Sequence, residues 1–96
     1  MTSRISLQIA PRAQRDRQAI LHYTFKTRGS GQRDIYDQIL DDAFHLIQEF
    51  PDIGHPAQGR SSDIREFHLE HHVIQYRREA DRVVILRNMN PRRRRR

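Results

Sequence analysis

Arg65, Arg77 and Arg87 stand in three separate segments of short strand character, residues 64–70, 73–78 and 82–89. A guanidinium binds carboxylate or phosphate through a planar fork of N–H donors. If the segments pair as strands, the three arginines can meet on one sheet face as an anion site. The competing arrangement is cross-strand pairing with Glu66, Glu70, Glu79 or Asp81. Tyr76 precedes Arg77, so in a strand the two side chains point to opposite faces. With Arg77 outward, Tyr76 belongs to the core. His68, His71 and His72 cluster between the first two segments. A metal there needs a third or fourth ligand at fixed distance, and the chain has no cysteine. Ordinary strand and turn histidines are expected, with no metal and no cofactor. His22 and His45 fall on helical segments at partly exposed positions, and His55 sits in a Gly-His-Pro turn. None of the six histidines has sequence neighbours that read as a catalytic dyad. The chain closes on Arg92 to Arg96. Such a run can meet phosphates, with salt-dependent affinity, or the carboxylates of a protein partner. It is expected to be solvated when free and to order on binding.

These residues need a scaffold, and the apolar pattern supplies one. Residues 4–10 alternate, with Ile5, Leu7 and Ile9 on one face of a half-buried strand. Pro11 suits a first helical turn, and a helix is predicted over about 12–26. Its stripe of Ala13, Ile20, Leu21, Tyr23 and Phe25 is ragged, with Arg17 where an apolar residue would complete it. Gly29-Ser30-Gly31 is the expected link to a second helix over about 32–50. There Tyr36, Ile39, Leu40, Ala43, Ile47 and Phe50 keep helical spacing, widened by Leu46. Asp34, Asp37, Asp41 and Asp42 load its other side, where the N-terminal half suits carboxylates, and Pro51 stops it. The short link makes the two helices antiparallel neighbours, one basic and one acidic. Residues 51–63 read as a loop. Three strands follow, the last two joined by Glu79-Ala80-Asp81. The expected architecture is α+β, in the order β-α-α-β-β-β: a helical hairpin on a small, mostly antiparallel sheet.

Ninety-six residues make one domain, expected to span 1–91 with 92–96 as a basic tail. The net charge of +6 is unevenly placed. Residues 1–34 carry +5, residues 35–63 carry −5, residues 64–91 carry +1, and the last five residues carry +5. The body is nearly neutral, so the high isoelectric point belongs to the tail and does not imply a basic surface on the fold. Without cysteine a disulfide-stapled secreted scaffold is excluded. No apolar run resembles a signal peptide or a membrane span, so a cytoplasmic protein is expected.

Three groups of residues together carry a family likeness. They are Ile9-Ala10-Pro11-Arg12-Ala13 at the first helix, the loop Phe50-Pro51-Asp52-Ile53-Gly54-His55-Pro56, and the strand set Ile64-Arg65-Glu66-Phe67, His72-Val73-Ile74-Gln75-Tyr76-Arg77 and Arg82-Val83-Val84-Ile85-Leu86-Arg87. In this order the chain resembles the ParE/RelE superfamily of type II toxin–antitoxin toxins over about residues 5–93. The resemblance implies a cognate antitoxin that wraps the toxin with a helix and an added strand, as a hetero-oligomer. It also implies one of two targets: DNA gyrase, inhibited without chemistry, or mRNA, cleaved on the ribosome. Many relatives continue the last strand into a segment like Leu-His-x-Arg-Arg; here it reads Met89-Asn90-Pro91-Arg92-Arg93. Asn90 cannot shuttle a proton near neutral pH. The departure favours the ParE-like branch, with Arg65, Arg77, Arg87, Arg92, Arg93 and Arg94 expected to recognise target or antitoxin. Were the chain a ribonuclease, Arg65, Arg77, Arg87 and Asn90 would face the scissile phosphate.

Overall fold

A computed structural model describes residues 5–60 and 63–90. The elements are β1 (Ser6–Ile9), α1 (Pro11–Arg28), α2 (Ser30–Glu49), β2 (His55–Pro56), β3 (Ile64–His68), β4 (Val73–Arg78) and β5 (Arg82–Met89). They form one five-stranded sheet in the order β1-β5-β4-β3-β2. β1 runs parallel to β5 and every other pair is antiparallel. The α+β architecture is as expected, with two refinements. Residues 51–63 are not wholly a loop: His55 and Pro56 pair with Glu66 and Arg65 as a fifth, two-residue strand. The link between the helices is also tighter than Gly29-Ser30-Gly31. Gly29 alone breaks the helices at φ 93°, a left-handed conformation that only glycine adopts at little cost. Its N–H bonds the carbonyl of Phe25 at 2.9 Å and its own carbonyl accepts the Arg33 N–H at 3.1 Å. One residue thus closes the last turn of α1 and opens the hydrogen-bond ladder of α2.

Both helices cover the same sheet face. Ile74 and Tyr76 of β4 and Val83 and Ile85 of β5 form a core with Ala13, Leu40, Phe44 and Ile47 of the hairpin. Ile5, Leu7 and Ile9 pack at its margin, as their alternation predicts. The helical stripes differ from expectation in a consistent way. On α2 the buried members are Tyr36, Leu40, Ala43, Phe44 and Ile47, so Phe44 takes a place the pattern had not given it. Ile39, Leu46 and Phe50 lie on the outer flank and stay exposed. A helix resting on one sheet buries one stripe, and α2 has apolar residues for two. On α1, burial reaches Ala13, Ile20 and Leu21, while Tyr23 and Phe25 remain exposed. Arg17 interrupts that stripe because it faces α2. Its guanidinium meets Asp37 Oδ1 at 2.6 Å and lies 5.4 Å from the Phe44 ring centroid. The aliphatic stem covers apolar surface while the charge is paired.

β5 carries a bulge: Gln75 opposes Arg87 and Tyr76 opposes Ile85, leaving Leu86 as the extra residue. This sets which residues of the last strand share a row with the rest of the sheet. No helix among the described residues is long and apolar enough to cross a membrane.

Candidate functional site

The three strand arginines do not meet. Arg65 stands opposite Tyr76, the neighbour of Arg77, so Arg65 and Arg77 lie on opposite faces. Arg65 Nη1 donates to the Gly54 carbonyl at 2.7 Å, and its Nε lies 3.8 Å from Asp52. Arg77 Nε is 3.7 Å from Asp63. Arg87 Nε donates to Asp16 Oδ2 at 2.8 Å, and the same oxygen accepts the Asn88 backbone N–H at 2.9 Å. These carboxylates come from α1 and the loops around the sheet, not from Glu66, Glu70, Glu79 or Asp81; Glu79 instead holds Arg82 at 2.5 Å. Asn90 follows β5 and is exposed. Arg92, Arg93 and Arg94, like the rest of the tail, lie outside the described residues.

Tyr76 is fully buried, as its place beside Arg77 implies. Its hydroxyl donates to the Pro51 carbonyl at 2.7 Å and accepts the Gly54 N–H at 2.9 Å. A Cβ on Gly54 would stand 2.7 Å from the Glu66 carbonyl and 2.8 Å from the Tyr76 hydroxyl. Only glycine lets the loop come this close, and that approach is what brings β2 alongside β3.

β2 creates a grouping that the sequence alone hides. His55, Glu66, Gln75 and Arg87 form one row across four strands. The buried Glu66 lies 3.6 Å from His68 Nε2, and the His55 and His68 rings meet edge to face at 5.8 Å. Two histidines beside a carboxylate can move protons. His55 and His68 are distant in the chain and meet only because the Gly54 loop becomes a strand. Arg87, though in this row, turns its guanidinium to Asp16.

A second polar contact ties α2 to the β3–β4 turn, where the Tyr36 hydroxyl bonds His72 Nδ1. Burial, with the charge of His71 adding to it, lowers the His72 pKa. Burial, then Glu70, raises Tyr36 to about 12. Burial thus favours the uncharged form of both partners. Beside this contact, the outer flank of α2 and the exposed side of Phe67 and Leu69 border a shallow trough that includes Ile39, Asp42 and Leu46. It continues past Leu46 to Phe50 and Ile53. Among the described residues, no group of three or more His, Asp or Glu is arranged to hold a metal ion.

The comparisons with known proteins agree with this fold. A family model described as "ParE toxin of type II toxin-antitoxin system, parDE" matches residues 7–94. No curated protein matches the chain. Among solved structures, a chain of the chromosomal ParDE system from P. aeruginosa is similar at TM-score 0.77 and 19% identity, covering 90% of this chain and 95% of that one. A chain of the RelBE2 toxin–antitoxin complex from Mycobacterium tuberculosis is similar at 0.67 and 18%, covering 92% and 99%. A conserved hypothetical protein from Helicobacter pylori follows at 0.56 and 17%, covering 90% and 93%. At these identities the likeness to the solved structures is one of fold.

Proposed function

The chain belongs to the ParE toxin family of type II toxin–antitoxin systems, and on that premise we propose that it acts by binding, with DNA gyrase as target, and is silenced by a cognate antitoxin. One observation carries the non-catalytic part of this reading. Arg65, Arg77 and Arg87 lie apart, two of them on opposite faces, and each is already beside a carboxylate. Phosphoryl transfer on RNA needs charge gathered at one phosphate, and dispersed, paired arginines do not gather it. Recognition of an acidic surface asks less of them: charges spread over a face steer and orient a partner. Arg77 is the more exposed of the three, with 42% of its side chain accessible. It and Arg92 to Arg94 are the charges assigned to target recognition.

A second reading, mRNA cleavage on the ribosome, draws support from the His55, Glu66 and His68 group on the sheet. The two readings separate in one experiment. The chain is induced in cells, plasmid supercoiling is followed, and mRNA ends are mapped on translating ribosomes. Loss of supercoiling with intact messages is the expected result. Codon-specific cleavage with normal supercoiling would replace the first reading with the second, and His68→Ala would then abolish it.

A further inference from the structure

The body is nearly neutral in sum, yet folding leaves one of its faces cationic. α1 contains Arg12, Arg15, Arg17, His22, Lys26 and Arg28 and a single acid, Asp16. Arg17 is held by Asp37, and the Asp16 carboxylate is occupied by Arg87 and the Asn88 backbone N–H. Arg12, Arg15, Ala19, His22, Tyr23 and Lys26 are exposed. Their three- and four-residue steps place them together on the side of α1 opposite Ala13, Ile20 and Leu21, which pack on the core. Among the described residues, Arg12, Arg15 and Lys26 have no carboxylate partner, whereas Arg65, Arg77, Arg78, Arg82 and Arg87 of the sheet each stand beside one.

Two observations separate this face from an ordinary solvated one. Arg12 and Arg15 lie at the N-terminal end of α1, whose first turn has no acid. Cations there oppose the helix dipole, so helix stability does not account for them. The chain also leaves the sheet beside them. Asn88 Nδ2 donates to the Ala13 carbonyl at 3.0 Å, and Asn90, two residues on, leads to Pro91 and the five arginines. The chemistry of the face narrows its partner. A protein interface needs an apolar centre, and this side offers Ala19 and Tyr23 alone. A single nucleic-acid strand is held by stacking on several aromatic rings, and here Tyr23, 69% exposed, is one ring. A duplex asks for cations at intervals along a rigid element. From Arg12 to Lys26 the helix extends about 21 Å at 1.5 Å per residue, which matches about six phosphates of one strand at 3.4 Å. The small Ala19 in the middle lets that strand come close.

We infer that the outer face of α1 binds the phosphate backbone of duplex DNA without regard to sequence, with Arg12, Arg15 and Lys26 as its contacts and the arginine tail adding to them. The face presents no constellation that reads base edges, so its binding is a matter of charge and of salt. This goes beyond the proposed action on gyrase, because here the chain itself holds DNA, and it stands or falls apart from that action.

The test follows binding of the purified full chain to a labelled duplex of about 30 base pairs by fluorescence anisotropy, from about 50 to about 200 mM salt. Micromolar affinity is expected at the lower salt, and the same affinity for a second, unrelated sequence. The triple variant Arg12→Gln/Arg15→Gln/Lys26→Gln should weaken binding about tenfold or more and lower the slope of log affinity against log salt by about three. Each single replacement should lower it by about one, which keeps the test decisive if the triple variant does not fold. Arg60→Gln, exposed in the loop before β3, should change neither quantity. A chain ending at Pro91 should keep part of its binding, and the triple replacement should remove that part. Absence of binding by the unsubstituted chain at the lower salt would overturn the inference. So would binding that is lost with the tail and untouched by the triple replacement, since the tail alone would then hold the DNA. Tighter binding to a single strand, or to an RNA duplex of the same sequence, would overturn duplex DNA as the ligand.

Discussion

Tyr76 and Gly54 hold the loop that makes the fifth strand. The Tyr76 hydroxyl uses both its donor and its acceptor inside the protein, so Tyr76→Phe leaves the Gly54 N–H and the Pro51 carbonyl without their partner. An unsatisfied buried group costs about 1–3 kcal/mol. A loss of about 2 kcal/mol is expected in urea unfolding, together with faster amide exchange at Gly54. Gly54→Ala acts through space instead. Its Cβ would press on the Glu66 carbonyl, which is backbone and cannot rotate away. Crowding of this kind costs about 1–3 kcal/mol, and β2 should detach first, moving His55 away from His68. If the His55 and His68 resonances are unchanged in Gly54→Ala, this account of β2 is wrong.

At the scale of the elements, the contact between α2 and the β3–β4 turn should be sensitive to pH. The folded pKa of His72 is lowered, so the unfolded chain takes up a proton there first. The stability this site contributes is present above the ordinary histidine pKa of about 6.5 and is lost as the pH falls through the folded value. The folded pKa of Tyr36 is raised to about 12, so its contribution is complete below about 10 and lost as the pH rises through the folded value. Chemical denaturation across acid pH should show a steeper loss in the unsubstituted chain than in His72→Gln, and NMR titration should place His72 below the free value. A His72 that titrates at or above 6.5 contradicts this. Much at this scale was legible in the amino-acid order. Pro11, Gly29 and Pro51 punctuate the hairpin, and alternation gave β1 and the three strands of the meander. Two features were not legible. A stripe pattern cannot say which of two apolar lines on α2 is buried, because the sheet decides that. A two-residue strand at His55 and Pro56 has no periodicity to detect. The dispersal of the strand arginines had the same cause: register, not order along the chain, sets which residues share a face.

The whole molecule divides its charge between a nearly neutral body and the Arg92–Arg96 run. The body's acids are spent largely on the body's own arginines, as the Arg17–Asp37 and Arg87–Asp16 pairs show. By sequence, the last five residues carry five of the six net positive charges. Deleting residues 92–96 should leave the thermal midpoint of the purified chain within about 2 °C while blunting toxicity on induction, since exposed pairs contribute only about 0–1 kcal/mol. A large fall in the midpoint would instead make the tail part of the folded structure. The action proposed for the chain is binding of gyrase. Its most direct test is a supercoiling assay with purified gyrase, relaxed plasmid and the purified chain, with and without the neighbouring gene product. Supercoiling should be inhibited in proportion to the chain added and restored by the antitoxin. Full supercoiling at a saturating excess of the chain would contradict it.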